Sequence, residues 1–263
     1  MTRPGLLEGK TAIVTGVGPG LGRASALALA REGAALVLVA RNEERVREVA
    51  DEIVAAGGRA VAAPGSVTHV DQCEAIAAQA IDAFGGIDVV VNSAFRGDAF
   101  ESVADANLDT WRKIFEVNFF GAVNMTRACL PALRSGGGGS VVMVASQSAR
   151  KIRPNEAGYA ASKAALITLT RSLATEVASD HIRVNAVVPG WIWGPNVQMY
   201  VDWQTQSRGI TRDEVIAEIT REIPLGEIPP QEDIAESIVF FASDMARMIT
   251  GQTLDVNGGE YFG

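Results

Sequence analysis

The sequence predicts an α/β protein: a doubly wound parallel sheet of about seven strands with helices on both faces. Two observations carry this. Short β-rich runs alternate with longer amphipathic stretches along the chain. The short runs also read as continuous apolar segments, the pattern of parallel strands covered by helices on both sides. Alternation of this kind closes through right-handed crossovers.

Taken in order, the predicted strands are Thr11–Gly16, Leu36–Ala40, Arg59–Ala63, Ile87–Asn92, Ser140–Ser146, Ile182–Val188 and Thr253–Val256. Helical periodicity fills Leu21–Arg31, Glu43–Ala56, Val70–Phe84, Leu108–Leu133, Tyr159–Ala178 and Gln231–Ser243. The glycine run Gly136–Gly139 reads as a tight turn, because a strand pattern resumes at Ser140. One long irregular stretch, Pro189 to Gly209, precedes a short helical pattern at Thr211–Glu222. A single domain over residues 1–263 is expected, with a substrate-lid segment at about 189–225.

The formal net charge of −8 argues against a nucleic-acid binder, since phosphate neutralisation needs clustered Lys and Arg. The two cysteines, Cys73 and Cys129, are far apart, and no C-x-x-C or His cluster accompanies them. Neither a disulfide framework nor a metal site is expected. No apolar run reaches membrane-spanning length, and Met1 to Lys10 lacks the apolar core of a signal peptide. A cytoplasmic location with no membrane contact follows as the expectation.

The first strand enters Thr15-Gly16-Val17-Gly18-Pro19-Gly20-Leu21-Gly22 and then a helix. A pyrophosphate needs such a turn for two reasons: backbone conformations closed to other residues, and close approach of the chain to the ligand. The helix N-terminus adds free N–H groups and a positive dipole end.

The spacing T-G-x-x-x-G-x-G is not the general dinucleotide fingerprint. It resembles that of the short-chain dehydrogenase/reductase family, NAD(P)(H)-dependent oxidoreductases built on a Rossmann sheet. The resemblance continues in the family's order through Asn92-Ser93-Ala94, Asn118 within Val117 to Gly121, Ser146, Tyr159-Ala160-Ala161-Ser162-Lys163, Pro189-Gly190 and Thr250-Gly251-Gln252. Cofactor-binding roles are implied for Gly16, Gly18, Gly20, Leu21, Gly22, Arg41, Ser66, Val67, Asn92, Ala94, Tyr159, Lys163, Pro189, Gly190 and Ile192. A homotetramer or dimer is implied too, with Leu108–Leu133 and Tyr159–Ala178 at an interface; those apolar faces also suit packing on their own sheet.

Members that bind NAD end the second strand with an acidic residue. Here Ala40 and Arg41 stand instead, which favours NADP(H) over NAD(H), because a guanidinium can pair with a 2′-phosphate. Pro19, where NADP-preferring members often carry a second basic residue, argues the other way, and Arg41 equally suits a solvated helix start. Ser66 takes the place of the Asp that contacts adenine in the family. Phe95 replaces the last glycine of N-N-A-G, and Gly194 falls where a threonine commonly binds the carboxamide.

Tyr159 and Lys163 are spaced i, i+4, so both project from one helix face. An ammonium there is expected to lower the tyrosine pKa. The phenol can then exchange a proton with a carbonyl or alcohol oxygen. Ser146, thirteen positions earlier, ends a strand at the sheet edge where ligands bind and can donate to the same oxygen. Asn118 is, by resemblance, the residue that holds a water against Lys163 to complete a proton relay.

The implied activity interconverts a ketone and a secondary alcohol. The alternative is a catalytically silent NAD(P)-binding sensor. Candidate substrate contacts are Phe95, Arg96, Ser148, Trp191, Trp193 and Met199. Arg96, Arg150, Lys151 and Arg153 read either as a cationic rim that steers an acidic substrate or as ordinary solvated charges. Three of the four tryptophans, Trp191, Trp193 and Trp203, fall in the expected lid with Met199 and Tyr200.

Overall fold

The computed structural model describes residues 4–98 and 100–263. Across them, seven strands form one sheet in the order β3-β2-β1-β4-β5-β6-β7. These are β1 (Thr11–Thr15), β2 (Ala35–Val39), β3 (Arg59–Ala62), β4 (Val89–Asn92), β5 (Gly139–Val144), β6 (Ile182–Pro189) and β7 (Thr253–Val256). Every neighbouring pair is parallel.

The period-2 alternation of strand side chains builds two cores. Ala12, Val14, Leu36 and Leu38 pack on one side against α1 (Leu21–Arg31), α2 (Glu43–Ala55) and α9 (Gln231–Ala242). Ile13, Val37 and Val39 pack on the other against α3 (Val70–Phe84), α5 (Gly121–Ser135) and α6 (Ala157–Glu176). Each fully buried Val, Leu or Ile contributes roughly 1.5–3 kcal/mol. Strand order reverses between β1 and β4, and the crevice outside the carboxyl ends at such a reversal is where open α/β sheets take ligands.

Two expectations are corrected. The predicted helix Leu108–Leu133 is interrupted: α4 (Leu108–Phe115) passes into a π-helical turn, Glu116–Phe120, before α5 begins. A π-turn inserts an extra residue, so it re-aims the side chains it carries. Asn118 lies in this turn and is buried.

The expected irregular stretch Pro189–Gly209 contains α7 (Pro195–Arg208). Pro195 opens it at a position that needs no N–H, and Gly209 closes it in the left-handed conformation at φ 65°. A capping box of Thr211 and Glu214 then starts α8 (Arg212–Thr220). The two helices share a small core of Val201, Val215, Ile219, Ile223 and Ile228, against which Trp191, Trp193 and Val197 pack. Among α7 residues only Val201 is fully buried, so the sequence shows no wide apolar stripe.

No helix among the described residues is long and apolar enough to cross a membrane.

Candidate active site

Loops after the strands meet at the carboxyl edge of the sheet, and the first is the glycine turn. Gly16 has φ 76°, and an added Cβ would lie 2.6 Å from Ala94 Cα and N. At Gly22 a Cβ would lie 2.1 Å from the Gly16 carbonyl oxygen. The fold itself therefore requires both.

Gly18 and Gly20 are different: added Cβ atoms there meet protein no closer than 4.0 and 3.9 Å. That space lies before the N-terminus of α1, whose first N–H groups have no partner within the helix. The cradle fits a pyrophosphate, with Leu21 and Gly22 opening the helix beneath it.

Thr15 fastens the reversal point. Its hydroxyl accepts from the N–H groups of Ser93 and Ala94 at 3.1 and 3.2 Å and donates to Val91 O at 3.3 Å. Asn92 turns its amide inward, donating to Thr126 Oγ1 at 3.0 Å, so its side chain binds α5 to the sheet. Beyond β2, Arg41 is exposed. Beyond β3, Ser66 N donates to Gln72 Oε1 at 2.7 Å, and buried Val67 receives Asn124 Nδ2 on its carbonyl at 3.1 Å.

Tyr159 and Lys163 sit on the first turns of α6, which neighbouring residues fix in place. Asp98 accepts from the Tyr159 N–H at 2.7 Å, capping the helix. The Trp111 indole packs on Gly158, where a Cβ would lie 2.9 Å from the ring. Ser162 Oγ donates to Tyr159 O at 2.7 Å and accepts from Asn118 Nδ2 at 2.9 Å. Asn118 also accepts from Arg96 N at 2.7 Å and donates to Arg96 O at 3.1 Å. The amide of Asn118 thus ties the π-turn to the loop after β4 and to α6.

β5 stops at Val144, so Ser146 lies beyond the strand and caps the turn Gln147–Ala149, accepting from Ser148 N at 3.2 Å. Its hydroxyl lies beside the Tyr159 phenol, near enough to draw the phenol's pKa down. Lys163 is buried, donates from Nζ to Val144 O at 2.7 Å, and lies 5.8 Å from the centre of the Tyr159 ring.

The expected lowering of the tyrosine pKa is reversed. Burial pushes the Tyr159 phenol up to about 12 against the pull of the Ser146 hydrogen bond, and Glu156 adds to the rise. Burial likewise pushes Lys163 down to about 7. The ammonium is itself disfavoured and bonded to a carbonyl rather than to the phenol, so desolvation dominates. At neutral pH the phenol keeps its proton.

Three of the four basic residues of the expected rim are ion-paired. Arg150 pairs with Asp255 and donates to Thr253 Oγ1 at 2.5 Å. Lys151 pairs with Glu222 at 2.5 Å and Glu260 at 3.0 Å, and Arg153 pairs with Glu260 at 3.0 Å. Arg153 also stacks 4.4 Å above the Trp191 ring. The acidic partners are Glu222 just after α8, Asp255 in β7 and Glu260 in the C-terminal turn, beyond any local pattern. Arg96 and Phe95 are exposed on the loop after β4.

Other predicted contacts divide between packing and exposure. Pro189 ends β6, and Gly190 N donates to Val256 O at 3.3 Å. Ile192 packs against the core beside α1 and α9. Trp193 N donates to Pro229 O at 2.8 Å, and its side chain packs on the α7–α8 core. Gly194 caps α7. Ser148 Oγ donates to Glu156 Oε2 at 3.2 Å. Met199 is 65% exposed on α7. Sequence reasoning missed Asp98, Gln147, Ser162 and Glu260. Only Ser162, inside the Tyr159–Lys163 motif, stood where local spacing pointed.

The sheet order and glycine turn define a Rossmann-type protein. The family model described as enoyl-(acyl carrier protein) reductase matches residues 16–260. The chain is 37% identical over 257 residues to dehydrogenase/reductase SDR family member 4 of Sus scrofa, covering 96% of this chain and 88% of that protein. It is 34% identical over 255 residues to a 3-oxoacyl-(acyl-carrier-protein) reductase of Staphylococcus aureus, covering 96% of this chain and 98% of that one. Among solved structures, L-sorbose reductase from Gluconobacter frateurii, in complex with NADPH and L-sorbose, superposes with a TM-score of 0.93 at 32% identity over 98% of both chains. The chain belongs to the short-chain dehydrogenase/reductase family and is an oxidoreductase.

Proposed function

We propose that the protein interconverts a ketone and a secondary alcohol with a nicotinamide cofactor, NADP(H) in preference to NAD(H), using Tyr159 as general acid and base. The observation that carries this reading is the placement of Tyr159 with the Ser146 hydroxyl beside its phenol and the buried Lys163 Nζ 5.8 Å from its ring centre, at the sheet edge. Two neighbouring hydroxyls can both address one substrate oxygen. With its phenol protonated at neutral pH, Tyr159 is set to donate to a carbonyl oxygen as negative charge develops there.

The open faces of Gly18 and Gly20 would hold the pyrophosphate, and exposed Arg41 would meet a 2′-phosphate. When bound, the nicotinamide supplies the hydride. Lys163 would reach the ribose, and the polarity of its Nζ would support the proton exchange at Tyr159. The solved relative that carries NADPH supports the cofactor preference.

The direct test is turnover of a ketone panel with NADPH and with NADH, and of secondary alcohols with the oxidised forms. Turnover of at least one ketone–alcohol pair is expected. Cofactor binding with no turnover across both panels would overturn the reading in favour of a silent sensor.

A further inference from the structure

We infer that Glu260 is a positioning residue for the substrate side of this site, holding the Gln147–Arg153 loop with both oxygens of its carboxylate. The inference rests on the proposed ketone–alcohol activity. The Glu260 side chain is 0% exposed, and its Oε1 accepts from Lys151 Nζ and Arg153 Nη2, each at 3.0 Å. Through Arg153 it reaches Trp191, whose ring lies 4.4 Å beneath the guanidinium.

The second oxygen carries the new information. Glu260 Oε2 is buried and has no hydrogen-bond partner among the described residues, and the same holds for Gln147 Oε1. Unsatisfied buried acceptors are uncommon and destabilising. Both point to one place: a Cβ added at Gly190 would lie 2.8 Å from Gln147 Oε1 and 3.2 Å from Glu260 Oε2.

An amide presents two donors on one side and an acceptor on the other, and a half-turn of its terminal torsion exchanges them. That half-turn puts Gln147 Nε2 where Oε1 stands, beside Gly190 on the side shared with Glu260 Oε2. A bond from Nε2 to Oε2 there supplies the buried Glu260 oxygen with a charge-assisted donor and takes the Gln147 oxygen away from the carboxylate.

The consequence is geometric. Gln147 follows Ser146, the residue beside the Tyr159 phenol, while Lys151, Arg153 and Trp191 form the adjoining wall. Glu260 therefore sets where a substrate rests against Ser146. It does not set Tyr159 or Lys163, which are anchored separately by Asp98, by Ser162 and Asn118, and by Val144 O. Gly190 must remain glycine because any Cβ would wedge between the two side chains.

Glu260→Gln keeps the shape and removes the charge. It should raise KM for a turned-over ketone by about tenfold, with kcat and cofactor Kd within about threefold of wild type. Gln147→Leu leaves the ion pairs and should raise KM in the same direction. In a double-mutant cycle read by thermal unfolding, the two substitutions should be non-additive, because Gln147→Leu removes the donor of the bond whose acceptor charge Glu260→Gln removes. Additive effects on Tm, an unchanged KM in both variants, or a fall in kcat at constant KM would each overturn the inference. If Glu260→Gln does not fold, Gln147→Leu alone decides by its KM-against-kcat split. Failure of the wild type to turn over any ketone or alcohol would instead overturn the proposed activity, and the thermal cycle would still decide whether Gln147 and Glu260 are bonded.

Discussion

Lys163 Nζ donates to the Val144 carbonyl oxygen at 2.7 Å, while the phenol it shares a helix face with stands beside the Ser146 hydroxyl. The lysine is held at the strand end and the tyrosine stands against the turn beyond it, and burial shifts each toward its neutral form: Lys163 to about 7 and Tyr159 to about 12.

The lysine shift has a stability consequence in the cofactor-free protein. Its folded pKa of about 7 lies below the ordinary 10.5, so between those values the unfolded chain binds more protons than the folded one. Wild-type stability therefore falls as pH drops through this window and levels off below the folded pKa. Lys163→Met removes this dependence. Its Tm relative to wild type should be more favourable at about pH 6 than at about pH 9.5. A difference that is flat across that range, or that grows with pH, would show that Lys163 is not held near neutrality.

The glycine turn separates fold from ligand. Gly16→Ala forces a side chain into φ 76° and against the Ala94 backbone. It should lower stability by roughly 1–3 kcal/mol or more. Gly18→Ala should leave Tm nearly unchanged and weaken cofactor binding, because its Cβ enters open space where the pyrophosphate would pass. Equal losses of Tm in the two variants, or a Gly18→Ala protein with wild-type cofactor Kd, would contradict this division.

The proposed preference for NADP(H) turns on Arg41. Arg41→Asp should shift kcat/KM toward NADH by about tenfold, a modest figure because the guanidinium is exposed and screened. A wild-type enzyme that already favours NADH by about tenfold would refute the reading of Ala40-Arg41.

The α7 segment calls for two variants. Trp193 packs on the α7–α8 core, so Trp193→Ala should lower Tm by creating a cavity. Met199 is largely exposed, so Met199→Ala should spare Tm and raise KM for a bulky ketone. Unaltered KM in Met199→Ala across the ketone panel would remove α7 as a specificity element.

Much of this was legible locally. Strand positions follow from runs such as Ala35–Val39, whose every residue is buried, and the Tyr159–Lys163 spacing needs only one helix. What the sequence hid depends on distant partners. The π-turn at Asn118 has the apolar periodicity of an ordinary helix, and its side chain is engaged by Arg96 and Ser162, 22 and 44 residues away. Arg153 looked free until the fold brought Glu260 to it across 107 residues. α7 carried its signals at its ends, Pro195 and Gly209, while its exposed Met199 and Trp203 obscured the helical stripe between them.

The central claim is that Tyr159 handles the proton. Tyr159→Phe deletes the phenolic hydroxyl and keeps the ring, leaving the Asp98 cap on its N–H and the Ser162 bond on its carbonyl available. Steady-state reduction of a turned-over ketone, measured beside cofactor Kd by titration, should show kcat lower by about 10²–10⁴-fold with Kd within about threefold of wild type. A Tyr159→Phe protein that reduces the ketone at the wild-type rate would contradict the account.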